Sequence, residues 1–202
     1  EGVLCLEFSR VLFRSRLVYS TYLGGRGDDG ASGIAVDGTG AAYIAGYAYS
    51  PDLSATPGAM QPVSGGFVAK FGPSGSTLLY LTGTPPVRSI AVDTWGYAYL
   101  TGGMDNPATS ETDHDVVVLR LNPSGSAAAY QAMLGGSGSD HGWDIAVHGL
   151  GQVYVVGSTY SADFPTTAGA YDGTHNGWVD AFVARLATVL PVHSLYLPAA
   201  GR

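Results

Sequence analysis

The sequence predicts an all-β chain assembled from about three tandem copies of one small antiparallel sheet. Three observations carry this: a sequence repeat of about 55 residues, glycine at 30 of 202 positions, and short β-prone segments divided by turn residues. Glycine usually accounts for about 7% of a chain. Each interior glycine costs a helix roughly 1 kcal/mol, whereas glycine-rich turns between tyrosine-rich and β-branched segments suit short strands.

The repeat is read element by element. Ile34-Ala35-Val36-Asp37 recurs as Ile90-Ala91-Val92-Asp93, 56 residues on, and as Ile145-Ala146-Val147-His148, a further 55 on. A tyrosine-centred segment follows each copy: Ala42-Tyr43-Ile44-Ala45-Gly46, Ala98-Tyr99-Leu100-Thr101-Gly102 and Val153-Tyr154-Val155-Val156-Gly157. A third segment ends in a base and an apolar residue, as in Phe67-Val68-Ala69-Lys70-Phe71, Val117-Val118-Leu119-Arg120-Leu121 and Phe182-Val183-Ala184-Arg185-Leu186. The next turns nearly match, Gly72-Pro73-Ser74-Gly75-Ser76 against Asn122-Pro123-Ser124-Gly125-Ser126, and a fourth strand is expected at 78–81 and 128–133. Residues 19–25 align with 130–136 at an offset of 111, which is also the separation of Ile34 and Ile145.

Four short strands per unit make an antiparallel meander, and such a sheet is marginal unless it stacks on others. Solenoid coils run about 20–30 residues and propeller blades about 40–50, so the repeat length favours a β-propeller. The small apolar Ile-Ala-Val segment suits the crowded inner strand, and the more variable fourth strand suits the rim. The expected divisions are 17–33 for the outer strand and loop of a preceding blade, then 34–89, 90–144 and 145–202 for three blades. The second copy departs from the pattern, with a shortened insert between Thr101 and Val116 and a shorter path from Tyr80 to Ile90.

These residues resemble the bacterial seven-bladed β-propeller (SBBP) repeat family. The matching segments are 19–25, Asp28-Asp29, 34–37, 163–167 and 180–186, and the resemblance spans about 17–186. It implies an exported protein, extracellular or at the cell surface. It brings no shared reaction, cofactor or catalytic residue.

Closed propellers have four to eight blades, so about three blades form an incomplete, open propeller with an apolar face exposed at each end. The expectation is a fragment whose partners include the remaining blades of a parent protein, with an assembling oligomer as the weaker option. Residues 1–16 ignore the repeat and hold three of the nine bases, Arg10, Arg14 and Arg16. Residues 10–15 also match what one frame of a common sequencing adapter encodes, so 1–16 is expected to be a non-native or disordered leader. Near the other end, 192–197 echoes 18–23 and is expected to form a fourth strand, or else an extended linker bounded by Pro191 and Pro198.

The formal charge is −7 and no basic stripe exists, which sets nucleic-acid binding aside. Cys5 is the single cysteine, so no internal disulfide forms. No run of about 18 apolar residues spans a membrane, and no signal-peptide arrangement is present.

Candidate sites are few. Arg26-Gly27-Asp28 spells an integrin-type tripeptide, but the equivalent Ser137-Gly138-Ser139-Asp140 keeps only the glycine and the acid, so the arginine is read as incidental. Asp28-Asp29, Asp113-His114-Asp115 and Asp140-His141 lack calcium-loop spacing and are read as turn-capping acids. His114, His141, His148, His175 and His193 lack zinc spacing, and neither a Gly-x-Ser-x-Gly elbow nor a phosphate loop occurs. Tyr47, Tyr49, Tyr160, Trp95, Trp143 and Trp178 suit a sugar-binding surface, but filling gaps between blades is the preferred reading. No catalytic, cofactor-binding or metal residue is assigned.

The expected function is a non-enzymatic scaffold or interaction module for an unidentified protein or carbohydrate ligand. The alternative is a fragment of a propeller enzyme, a lyase or quinone-dependent dehydrogenase, with its site at the central channel. Charged residues converging from different blades at the channel mouth favour that alternative; acids and histidines scattered over rim loops favour the scaffold.

Overall fold

The computed structural model describes residues 16–105, 113–149 and 151–187. These residues form eleven strands and no helix. The first antiparallel sheet runs β1 (Asp29–Val36), β2 (Ala42–Ala48), β3 (Gly65–Phe71), β4 (Leu78–Thr84) in spatial order. The second runs β5 (Val87–Val92), β6 (Ala98–Asp105), β7 (His114–Leu121), β8 (Ala128–Leu134). The third comprises β9 (Asp140–His148), β10 (Gln152–Thr159) and β11 (Asp180–Ala187).

The sheets stack face to face. Tyr43, Val68 and Tyr80 of the first join Ile90, Leu100 and Leu119 of the second in one core. Tyr99 and Val118 of the second join Ile145, Val153 and Val155 of the third in another. Contacts between successive sheets are made through the first strand of the trailing sheet, β5 against β1 and β2, and β9 against β6, β5 and β7. The sheets therefore converge along that side, as blades converge on an axis.

The Asp of each Ile-Ala-Val-Asp segment ties a junction together. Asp37 accepts hydrogen bonds from the Thr39 and Ala41 amides and from the Tyr43 hydroxyl. Tyr43 also donates across the junction to the Gly96 carbonyl of the second sheet. Asp93 repeats the arrangement with the Trp95 and Tyr97 amides and the Tyr99 hydroxyl. A base closes each one, Lys70 at 3.3 Å from Asp37 and Arg120 at 3.7 Å from Asp93.

Two expectations are corrected. The strands that open each sheet start at Asp29, Val87 and Asp140, upstream of Ile34, Ile90 and Ile145, because each continues across a β-bulge. The boundaries at 34, 90 and 145 thus fall inside first strands, and part of 17–33 belongs to β1. Residues 19–25 do not form a strand. They nevertheless sit where a preceding blade's fourth strand would. The Tyr19 ring covers Gly75 just as the Tyr80 ring covers Gly125. The last sheet has three strands among the described residues; the expected strand at 192–197, and all but Arg16 of the expected leader at 1–16, lie outside them.

Candidate functional site

Two loop clasps occupy the end of the sheets where the first strands begin. In the first, the Asp29 carboxylate accepts from the Gly25 amide at 2.8 Å and from the Ser50 hydroxyl. Ser50 Oγ in turn accepts from the Gly27 amide at 2.8 Å, and Asp52 from the Arg26 amide at 2.9 Å. In the second, 111 residues on, Asp140 accepts from the Gly136 amide and the Ser161 hydroxyl, both at 2.8 Å. There Ser161 accepts from the Gly138 amide and Asp163 from the Ser137 amide. The glycines are needed for close approach: a Cβ on Gly136 would lie 2.4 Å from Asp163 Oδ1.

Among the described residues the second sheet shows no such clasp, and Pro85 and Pro86 stand in the shortened connection. The clasp Asp140 instead faces Asp115, and both carboxylates are buried.

The bulges form a second feature. One residue in each first strand is extra to the ladder: Ser32 in β1, Arg88 in β5 and Trp143 in β9. Bulges redirect side chains and recur beside functional sites. Here they place three unlike side chains side by side along the converging strands. Ser32 Oγ donates to the Val87 carbonyl at 3.2 Å, and the Arg88 guanidinium lies 4.3 Å from the Trp143 ring centre.

The His141 ring continues the row, 6.2 Å from Trp143 and 5.8 Å from His114, whose Nδ1 lies 2.7 Å from Asp105. Burial pushes the His141 pKa down, helped by Arg88 and His114, with Asp140 opposing. Near the first clasp, Gly27, Asp28, Asp29, Tyr47 and Tyr49 line an open depression of about 520 Å³.

This arrangement begins in the clasp and β1–β2, and the same span matches a known family model. Residues 18–53 match the family model of the SBBP beta-propeller repeat. Among curated proteins, none matches the chain. The SBBP match covers Asp29, Ser50 and Asp52, so the first clasp belongs to the repeat. The internal equivalence carries the same clasp to Asp140, Ser161 and Asp163.

Against the SBBP framework, the sequence-derived candidates sort clearly. Asp29 and Asp140 hold loops, as expected of turn acids. Arg26 is exposed and ion-paired to Asp52 at 3.7 Å, outside the bonds that set the loop. The aromatic expectation is corrected: Tyr47, Tyr49, Tyr160, Trp95, Trp143 and Trp178 are all exposed. The junctions are filled by Tyr43 and Tyr99, at the starts of β2 and β6 away from the clasps, and by Tyr80 of β4. By register, all the exposed aromatics except Trp95 lie at the clasp end.

His114 and His141 come together, whereas His148 lies at the opposite end of β9, and His175 approaches the Thr159 carbonyl. His193 lies outside the described residues. Arg88 was missed altogether, because one base between Val87 and Ser89 carries no spacing signal until the bulge is known. No group of three or more metal-ligating side chains forms among the described residues.

The clasps set a pH dependence. The Ser50 hydroxyl, then the Gly25 amide, hold Asp29 below its ordinary pKa, and the Ser137 amide, then its hydroxyl, do so for Asp163. Because the folded values are depressed, this stability is present above the ordinary carboxylate value of about 3.9 and is lost as pH falls through the folded values. The melting temperature is therefore expected to fall below about pH 4. Ser50→Ala and Ser137→Ala should each flatten that fall in thermal melts run across pH.

Proposed function

We propose that the chain is a non-enzymatic interaction module of an exported bacterial β-propeller repeat protein, acting outside the cell or at its surface. Its clasp end binds a protein or carbohydrate ligand, and further blades of the same kind complete the ring. One observation carries the binding role. The bulges align Ser32, Arg88 and Trp143 at the same end as exposed Tyr47, Tyr49 and Tyr160, on loops locked by the two clasps. Rigid loops lower the ordering cost of binding, and exposed aromatic faces suit sugar rings and protein hot spots alike. The export reading is supported by the resemblance to SBBP repeats of exported bacterial proteins.

The test is binding to an array of bacterial and host glycans and extracellular proteins, read with the full chain. Trp143→Ala and Tyr49→Ala are expected to weaken the strongest hit by about 10-fold or more, while Trp95→Ala, at the opposite end, leaves it unchanged. Reproducible turnover of any substrate by the chain sinks the non-enzymatic reading.

A second reading, the propeller enzyme, draws on the meeting of Arg88, His141 and the His114–Asp105 pair from two sheets. It ranks below the first because the group runs outward across the second sheet, through Asp105 of β6 to His114 of β7, instead of ringing the converging strands. Ser89, beside Arg88 in β5, donates its hydroxyl to the Asp144 carboxylate.

A further inference from the structure

Two departures from the repeat fall at one place, the clasp end of the junction between the first and second sheets. One is the shortened connection, where Pro85 and Pro86 stand in place of a clasp loop such as 135–139. The other is a pair of tyrosines. Side chains alternate along a strand, so Tyr47 shares the face of Tyr43 and Ala45, which pack toward the second sheet. The Tyr49 ring lies beside it, with the ring centres 5.5 Å apart. By register, Gly103 and Ser158 take the place of Tyr47 in the other sheets, and Asp105 and Tyr160 that of Tyr49. The ring pair is therefore particular to the first sheet.

At the second junction the third sheet fills this place itself: a Cβ on Gly103 would lie 3.1 Å from His141 Nδ1. At the first junction the second sheet has Pro86 at the position of His141. The Pro85 carbonyl covers Gly66, the β3 partner of Tyr47. Tyr47 and Tyr49 stay 47% and 70% exposed although the sheet that follows them is in place.

The rings are held from below. Tyr47 lies on Gly30, where a Cβ would come within 2.6 Å of the ring carbon Cζ. The Tyr49 amide donates to the Asp28 carbonyl at 3.0 Å, and the next residue, Ser50, is bonded into the clasp. With Gly27, Asp28 and Asp29 the two tyrosines line the depression of about 520 Å³, within the range of about 300–1,000 Å³ that small-molecule sites take. Both Asp29 oxygens already accept from Gly25 and Ser50. The exposed Asp28 carboxylate has no hydrogen bond or ion pair among the described residues.

We infer that this depression binds a neutral pyranose unit of a glycan, its C–H face on the tyrosine rings and its hydroxyls donating to the Asp28 carboxylate. Aromatic faces take the apolar side of a sugar ring, and a free carboxylate offers acceptor oxygens and no donor. No cation lines the depression and the chain carries −7, so an acidic sugar is repelled. This rests on the interaction-module reading above and narrows its ligand to one chemical class at one place.

The experiment is affinity electrophoresis of the full chain in native gels containing soluble mannan, dextran, galactan or starch, with polygalacturonate as the acidic comparison. At least one neutral polysaccharide is expected to retard the chain, and polygalacturonate is not. Tyr47→Ala, Tyr49→Ala and Asp28→Ala should each weaken that interaction by about 10-fold or more. Tyr47→Phe, which keeps the ring, should preserve it, and Trp95→Ala, at the opposite end, should leave it unchanged. The replaced side chains are exposed, so the circular dichroism spectrum should stay that of the native chain. No retardation by any of the neutral polysaccharides overturns the inference, as does stronger retardation by polygalacturonate. A neutral polysaccharide whose binding survives Tyr47→Ala and Asp28→Ala overturns it too. The module reading stands or falls separately, on whether any ligand of the array binds and is lost with Trp143→Ala.

Discussion

Asp93→Ala is expected to destabilise the chain by about 3–5 kcal/mol, the cost of leaving a buried charge without its partner. Asp93 and Arg120 are both buried, and Arg120 lies over Tyr97 at 3.7 Å from the ring centre. The guanidinium cannot swing into water without opening the junction between the second and third sheets. Removing the carboxylate also frees the Trp95 and Tyr97 amides and the Tyr99 hydroxyl. Tyr99 reports the state of this site: burial pushes its pKa up to about 12, with Arg120 opposing the rise and Asp93 adding to it.

Urea unfolding separates the contributions. Asp93→Asn keeps an oxygen for the two amides but loses the charge, so most of the loss should remain. Adding Arg120→Met to Asp93→Asn removes the stranded cation and should recover much of it, since apolar replacements of buried ion pairs are often neutral or better. If Asp93→Ala costs less than about 1 kcal/mol, the level of an exposed pair, the charge is not the binding element of the junction. The third sheet is a natural counterpart. His148 stands in place of the acid, and Arg185 is left exposed.

The repeat itself was legible because the junctions demand it. Ile90 and Ile145 must be apolar, Tyr43 and Tyr99 must reach an acid six residues upstream, and Lys70 and Arg120 must close on that acid. Spacing in sequence therefore records contact in space, and the stacking of small sheets follows from it. Strand starts were less legible. A bulge breaks the alternation of inward and outward residues, so Asp29–Gly33 gave no period-2 signal to extend from.

The site was legible only in part. Turn acids were recognisable from the glycines beside them, but their hydrogen-bond partners Ser50 and Ser161 lie over 20 residues away. The aromatics were assigned to the wrong place for a similar reason. Composition marks a tyrosine as β-prone, but only register tells Tyr43, which faces the next sheet, from Tyr47, which stands at the open end.

Gly102→Ala is expected to cost about 1–3 kcal/mol, the range for forcing atoms into filled space. A Cβ there would lie 2.3 Å from the Pro86 carbonyl oxygen and 2.8 Å from Val87 Cα. Both are backbone atoms, so no rotamer change relieves the clash. Gly46 and Gly157 occupy the same place in the other sheets, where an added Cβ would lie 2.1 Å and 2.0 Å from the Gly30 and His141 carbonyl oxygens. The recurring glycine after each tyrosine segment is thus the space into which the bulged first strand presses its backbone. Gly38→Ala is the control. Nothing lies within 4 Å of its Cβ position, and the change should stay within about 0.5 kcal/mol. Relief of the clash at Gly102 requires the bulge at Arg88 to flatten, which draws the guanidinium away from Trp143. Gly102→Ala should therefore change the Trp143 emission as well as lowering stability, with Trp95→Phe and Trp178→Phe in the background to isolate that signal. A stability loss with unchanged Trp143 emission separates the packing role of Gly102 from any hold on the bulge, and the aligned row of Ser32, Arg88 and Trp143 then needs another anchor.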